Sequence, residues 1–418
     1  MKIAGITAEY NPFHKGHAYQ IDKTRCDAGA QYVIAVMSGD FVQRGAPAVF
    51  DKYLRTEAAL MSGVDLVLEL PAVYACASAE FFASGAVSLL DSLGCVNILS
   101  FGSELGKIEM LQSAAEVLTG EPEKFREALK ENLKAGDSFP KARAAALRSY
   151  FEGSNEVSEL LRQPNNILAV EYCRALLRFH SPITPFTVKR AGKGYHEDGL
   201  SGEFASASGI RKKLFSREDT FSDSWGQAEP DASSSEVLAQ IPETAQSVFL
   251  RASAQGMQNA EDYSLLLAYR LLEQTPESLS LYADIPPALA HRIYKNRFAC
   301  RNFESFVSLL KTRDMTYTGI SRALMRLLLG IDHRPPLLCP YARILGFRRD
   351  AAPLLAVLKK SARIPLISKA ADAGQLLAPE AYDVFSIDVR AANLYETVRC
   401  AKTGQEFRHE LRRPVVIR

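Results

Sequence analysis

Five continuous apolar runs punctuate the first half of the chain: KIAGIT (2–7), YVIAVMS (32–38), DLVLEL (65–70), VNILSFG (96–102) and ITPFTVKR (183–190). Short runs without polar alternation read as strands buried on both faces, as in a parallel sheet covered by helices. Between them, HAYQIDKTRCDA predicts a first crossover helix and YLRTEAALMSG a later one. Strand alternating with helix predicts the α/β class, a doubly wound parallel sheet of Rossmann type.

The pattern changes further on. EKFREALKENLKAG has apolar residues at helical spacing and a glycine stop, so about 104–150 is expected to be a helical insertion within an N-terminal domain spanning 1–216. REDTFSDSWGQAEPDASSSE (217–236) is polar and reads as a linker or loop. Segments such as EDYSLLLAYRLLEQ and SRALMRLLLGI predict a mainly helical domain over 237–335. Mixed strand-like and helical pieces from 336 to 418 predict a small C-terminal α/β region.

Composition narrows the class without naming a function. The 418 residues are 47% hydrophobic and 23% charged, an ordinary globular balance. No apolar run is long enough for a membrane helix and the N-terminus is too polar for a signal peptide, so a cytoplasmic protein is expected. The seven cysteines stand singly, without the paired spacing of zinc or redox sites, and no metal site is expected. A net charge of +2 confines any nucleic-acid surface to a local patch. Walker A, G-x-S-x-G and zinc signatures are absent, and the G-x-G in AGKGYHEDG lacks the strand-turn-helix setting of a dinucleotide site.

The chemistry concentrates in AEYNPFHKGHAYQ (8–20), directly after the first strand. In an open parallel sheet this edge faces the ligand crevice, and a helix opening at Gly16 and His17 offers free N–H groups to a phosphate. Two imidazoles three residues apart, His14 and His17, can reach one phosphoryl group. Read alone, an H-x-x-H pair is equally a surface or incidental metal pair; its position after strand one favours the phosphate reading. Downstream, ASASGIR offers Ser206, Ser208 and Arg211, hydroxyls at a helix start followed by a guanidinium, which suits β- and γ-phosphates.

NPFHKGH resembles the H-x-G-H signature of the nucleotidyltransferase superfamily, and ASASGIR resembles its second motif, with Ala207 in place of a serine and Gly209 before the isoleucine. More specifically, AEYNPFHKGHAYQ, MSGDFVQRGAPAVFDKYLRTEAAL, GVDLVLELP, FGSE, SFPKARAAAL, PNNILAVEY, GYHED, TYTGISRALMRLLLGI, PYARILGF and DVRAANLY are similar to the tRNA(Met) cytidine acetate ligase family. That resemblance implies a nucleotidyltransferase domain of HUP type that activates acetate with ATP to acetyladenylate. The wobble cytidine in the anticodon region of elongator tRNA(Met) then becomes N4-acetylcytidine. It implies ATP as co-substrate, with Mg²⁺ held mostly by phosphate oxygens and water.

Carried over residue by residue, the resemblance implies that ATP is wrapped by Thr7, Ala8, Glu9, Tyr10, Asn11, Pro12, Phe13, His14, Lys15, Gly16, His17, Ala18, Tyr19 and Gln20, with His14 and His17 catalytic. Gly102, Asn165 or Asn166, and Arg190 join them at other strand ends. Asp40, Gln43, Arg44, Lys52 and Arg55 form a polar stretch able to bind acetate, phosphate or RNA, or to be a solvated helix face. Cations among aromatics, Arg292, Lys295, Arg297 and Arg301, then Arg343, Arg348 and Arg349, are candidates for tRNA phosphates, as is the tail RHELRRPVVIR. Two other functions stay open at this point: a small-molecule adenylyltransferase, and an RNA-binding protein that holds ATP without turning it over.

Overall fold

The computed structural model describes residues 1–152, 157, 160–190, 204–216, 232–313 and 315–418. The segment GYHED and most of the expected polar linker, 217–231, lie outside the described residues. All five expected strands form: β1 (Ile3–Ala8), β2 (Tyr32–Ser38), β5 (Leu66–Leu70), β6 (Ile98–Ser103) and β7 (Thr184–Lys189), with a small hairpin of β3 (Phe41–Val42) and β4 (Ala46–Pro47) after β2. They run parallel in the order β5-β2-β1-β6-β7. The chain therefore leaves β1 in one direction to β2 and later crosses to β6 on the other side, which opens a crevice beyond the carboxyl end of β1.

Helices cover both faces. On one lie α1 (Lys15–Cys26), α2 (Lys52–Met61) and, from much later in the chain, α10 (Glu243–Ala254). The other carries α3 (Ala79–Ser92), then α4 (Ile108–Gly120), α5 (Glu123–Lys134), α6 (Phe139–Tyr150) and α7 (Pro164–Arg178), all four between β6 and β7. Gly5 in β1 permits close approach on this face, since a Cβ there would stand 2.6 Å from the side chain of Leu90 in α3. The third helix edging the crevice is α8 (Ala207–Phe215), followed by α9 (Ala232–Ala239), which begins inside the tail of the expected linker.

Beyond α10 the chain is helical, with α11 (Ser264–Leu272), α12 (Pro287–Asn296), α13 (Phe303–Leu310) and α14 (Tyr317–Leu329). The strands expected to form a small region of their own near the C-terminus instead extend the main sheet. β8 (Ala342–Phe347) pairs antiparallel with β5, while β9 (Leu366–Ile367) and β10 (Val416–Ile417) pair parallel with β8. The two later helices are α15 (Ala352–Ser361) and the long α16 (Pro379–Thr403). Such short strands carry no sequence mark of their partner, whereas an unpaired edge at β5 has backbone groups to satisfy.

A buried ionic cluster fastens this late segment to the sheet. Lys52 Nζ lies 2.6 Å from both Glu69 and Glu410, and Arg343 reaches the same carboxylates at 2.9 and 2.6 Å. The Lys52 N–H donates to Asp40 at 2.8 Å. This corrects the reading of Asp40, Lys52 and Arg343 as ligand groups: all are buried and committed to one another. Arg55 is likewise buried, donating to the carbonyls of Phe50, Glu9, Ser38 and Gly39, where it holds the loops after β1 and β2 together.

Candidate active site

The crevice at the end of β1 is a cleft of about 380 Å³. The chain leaves β1 through Tyr10, which adopts a left-handed backbone (φ 48°), and Asn11, whose side-chain oxygen accepts the Val49 N–H at 2.8 Å. Tyr10 and Phe13 bury their rings edge-on to each other and flank the ring of His17, with centroids 4.9 and 5.5 Å away. An aromatic box thus fixes the second histidine.

His14 is the N-cap of α1. Its Nδ1 accepts the Gly16 N–H at 3.1 Å, while the Nδ1 of His17 accepts the N–H of His14 at 3.2 Å, a capping box made by two imidazoles. Accepting at Nδ1 leaves the proton of each neutral ring on Nε2, so each histidine has one N–H donor left over. The rings stack at 3.8 Å. Burial, then Arg190 and Arg211, lowers the His14 pKa to about 3; burial, His14 and Arg190 likewise hold His17 well below its usual value. Both rings are therefore neutral donors near pH 7.

A second helix start faces them. Ser206 caps α8 by accepting the Gly209 N–H at 3.1 Å, and Arg211 donates to the Asn11 carbonyl at 2.7 Å and to Ser208 at 3.2 Å. Gln240 joins the two helix starts, accepting the Lys15 N–H on its carbonyl and the Ala205 N–H on its side chain, both at 2.8 Å. Two partly positive helix ends thus point at one space. Arg190, Arg211, Arg44 and Arg322 all line it, each with its pKa pulled down chiefly by burial. Concentrated cations in a recess form seats for anions.

At the other end Gly102 closes β6 beside Arg190, where an added Cβ would sit 3.5 Å from the Arg190 side chain. Glu104 sets the paired asparagines in different surroundings. That carboxylate accepts the Asn165 and Asn166 N–H groups at the start of α7 and the Asn165 side-chain amide at 2.6 Å. Asn165 lines the cleft, whereas Asn166 is buried and spends its side chain on the Leu105 N–H.

Of the motif residues, Thr7, Ala8, Glu9, Tyr10, Asn11, His14, His17 and Gln20 line the cleft, with Gly102, Arg190, Ser206, Ser208 and Arg211. Pro12 and Phe13 pack below it against α2 and α10, Lys15 is exposed, Gly16 contributes its N–H to His14, and Tyr19 packs on Phe204 with Ala18 beside it in the chain. Sequence reasoning assigned no role to Arg322, or to the apolar lining of Ala79, Phe82, Phe101, Leu168 and Tyr172. Arg322 stood within a motif quoted for its resemblance, but nothing in its spacing tied it to residues nearly three hundred positions earlier.

The surface cations are scattered. Arg292 donates to the Leu310 carbonyl and Arg297 to that of Tyr294, with the Arg297 guanidinium over the Tyr294 ring. Arg348 pairs with Asp350 at 2.5 Å, and Lys295, Arg301 and Arg349 are exposed. Among the described residues no cluster of three His, Cys, Asp or Glu could hold a metal, and no helix is long and apolar enough to cross a membrane.

The chain matches the HIGH Nucleotidyl Transferase family over residues 1–410. It is 41% identical to the tRNA(Met) cytidine acetate ligase of Thermoanaerobacter sp. (strain X514), covering 98% of this chain and 99% of that one. The chain belongs to the tRNA(Met) cytidine acetate ligase family. The Acetivibrio thermocellus ligase is 36% identical over 97% of this chain and 98% of its own. The crystal structure of Thermotoga maritima TmcAL bound with alpha-thio ATP superposes with a TM-score of 0.85 at 30% identity, covering 100% of this chain and 99% of that one. The apo form of the same protein gives 0.88 at 31% identity with the same coverage. The α/β nucleotidyltransferase fold of this ligase family is thus the fold of the chain.

Proposed function

We propose that this chain is an ATP-dependent ligase that activates acetate as acetyladenylate and acetylates the exocyclic amine of the wobble cytidine of elongator tRNA(Met). The observation that carries the reading is the pair of neutral imidazoles, each with Nδ1 spent on the helix cap, facing a cleft edged by Arg190 and Arg211. Similarity to the named ligases and to a TmcAL bound with alpha-thio ATP supports the choice of reaction.

In this reading the Nε2–H groups of His14 and His17 donate to the α-phosphate as an acetate oxygen attacks it. The new P–O bond forms as the bond to pyrophosphate breaks, with no proton transferred. Donors fixed before the reaction stabilise the added charge without reorganising. Arg211 and the start of α8 take the leaving pyrophosphate; Gly102, Asn165 and Arg190 take the nucleoside side. The cytidine amine then attacks the acetyl carbonyl, forming a C–N bond, releasing AMP and losing a proton to solvent.

Among the described residues no carboxylate cluster forms a cage for Mg²⁺. Glu9 accepts the Gln43 N–H and Glu104 clamps α7, so an ion accompanying the triphosphate would be held mostly by phosphate oxygens and water. The exposed Lys295, Arg301 and Arg349 are proposed for tRNA phosphates, with Arg292, Arg297 and Arg348 shaping the surface around them. Acting on tRNA, the enzyme belongs in the cytoplasm. The test incubates pure protein with ATP, labelled acetate and unmodified tRNA(Met), then digests the RNA. Labelled N4-acetylcytidine is expected, and its absence across a range of Mg²⁺ concentrations would sink the proposal.

A further inference from the structure

The cleft extends past the nucleotide end. Along the sheet, Gly102 and Arg190 close β6 and β7 on one side of β1, while Gln43 and Arg44 follow β2 on the other side. Arg322 reaches the same side from α14, and its placement is built with care. The left-handed Gly45 of the hairpin lies so close to α14 that a Cβ there would stand 2.3 Å from the backbone nitrogen of Arg322. Ser321 donates to the Gly45 carbonyl at 2.8 Å, and Arg326, one turn on, donates to the carbonyls of Val73 and His333 at 3.2 and 2.6 Å. The helix is clamped from both sides.

The Arg322 guanidinium itself makes no hydrogen bond or ion pair among the described residues, although its neighbour Arg326 lies 3.2 Å from Asp284. Asp284 also acts on the Arg322 charge but lies outside ion-pair contact with it, so a partly buried guanidinium opening on the cleft is left able to take an anion. Ala79 and Phe82, on the helix that follows β5, line the same cleft with apolar surface.

We infer that Arg322, with Gln43 and Arg44, seats the carboxylate of the acyl substrate, and that Ala79 and Phe82 wall its methyl group. This rests on the acetate ligase reading and adds the site that the reading lacks. The guanidinium holds one carboxylate oxygen while the other faces the α-phosphate between the seat and the histidines. The anion is a small monocarboxylate, because Ala79 and Phe82 line the cleft together with Arg322 and give the anion an apolar wall.

The test is acetate-dependent exchange of pyrophosphate into ATP, run on wild type, Arg322→Ala and Arg322→Lys, with ATP affinity measured separately. The acetate KM should rise about 10- to 100-fold in Arg322→Ala, the change expected for losing charge-assisted hydrogen bonds, and less in Arg322→Lys, with the ATP Kd within about twofold of wild type. Should Arg322→Ala not fold, the lysine variant carries the test alone, its acetate KM rising with ATP binding intact. An unmoved acetate KM, or ATP affinity weakened in step with it, overturns the seat and assigns Arg322 to structure or to the triphosphate. Wild type that exchanges nothing overturns the ligase reading and the seat together, whereas exchange in wild type with an unmoved KM overturns only the seat. Phe82→Ala should raise kcat/KM for propionate relative to acetate about tenfold, since one methylene is worth about that in an apolar pocket; an unchanged ratio removes Phe82 from the wall.

Discussion

Two sets of buried cations share this molecule and are balanced in opposite ways. Beneath the C-terminal tail, Lys52 and Arg343 meet Glu69, Glu410 and Asp40 within one closed cluster. In the cleft, Arg44, Arg190, Arg211 and Arg322 outnumber the carboxylates that act on them, chiefly Glu9, Asp284 and, behind Asn165, Glu104. The first arrangement neutralises itself and locks the tail to the sheet. The second leaves positive potential inside a recess, where it acts only once an anion arrives. What separates structure from function is the local sum of charge, since the residue types are the same.

The sharpest break in that comparison is at the histidines. His14→Ala or His17→Ala should lower acetate-dependent pyrophosphate exchange by about 10²–10³-fold, the loss typical of one preorganised donor to a developing oxyanion. The fold should persist, with stability falling by only about 1 kcal/mol for the lost cap. Full exchange activity in both variants would remove the imidazoles from the chemistry.

Lys52→Met tests the other side. It leaves Glu69 and Glu410 buried beside one cation fewer, and breaking such a cluster costs about 3–5 kcal/mol, read as a drop in the denaturant midpoint. The expected loss appears in stability first, with ATP affinity following only as the fold weakens. Were Lys52→Met as stable as wild type but unable to bind ATP, the cluster would belong to the site.

Between those extremes lie two changes in the cleft. Gly102→Val adds volume where the nucleotide is proposed to rest against backbone, and ATP affinity should fall about 100-fold because the bound pose is blocked. The first added carbon has ordinary room beside Arg190, so stability measured without ATP should change little. Arg211→Met should weaken ATP about 10- to 100-fold, the worth of charge-assisted contacts to phosphate, without destabilising the empty protein beyond about 1 kcal/mol. A large stability loss from Arg211→Met would show that its bonds to Asn11 and Ser208 matter more than its open charge.

The parallel strands and the H-x-G-H loop were readable because each is local: an apolar run of five to seven residues, or a loop placed by the strand before it. Asn165 and Asn166 were not separable, since the choice depends on Glu104, some sixty residues away, which takes both N–H groups but leaves only Asn166 buried. Lys52 and Arg343 read as surface cations because their acidic partners come from β5 and the tail, joined only by the late pairing of β8 with β5. Arg322 was invisible for the same reason, its place being set by the meeting of Gly45 and α14. Wherever the pairing is long-range, sequence shows the charge and not its balance.

The smallest effect separates the two regions along the pH axis. A histidine held neutral near pKa 3 in the fold, but titrating at 6.5 when unfolded, favours unfolding as protons are added: the unfolded chain binds the proton first. His14 thus contributes stability present above about pH 6.5 and lost as pH falls from there towards about 3. Glu410 behaves differently, because although burial opposes its charge, Lys52 and Arg343 hold its pKa at about 2 against a usual 4.5. Its contribution is intact above about pH 4.5 and disappears as pH falls through about 2. The stability difference between wild type and His14→Asn should therefore change between pH 7 and 5, a span over which the titration of Glu410 itself contributes almost nothing. Bound ATP should reduce that change, since phosphate charge favours a protonated imidazole. Denaturation midpoints at the two pH values, with and without ATP, measure all of this; movement of the Glu410→Gln difference over the same range reports Asp40, whose pKa burial and then Glu410 raise to about 7, and should not respond to ATP.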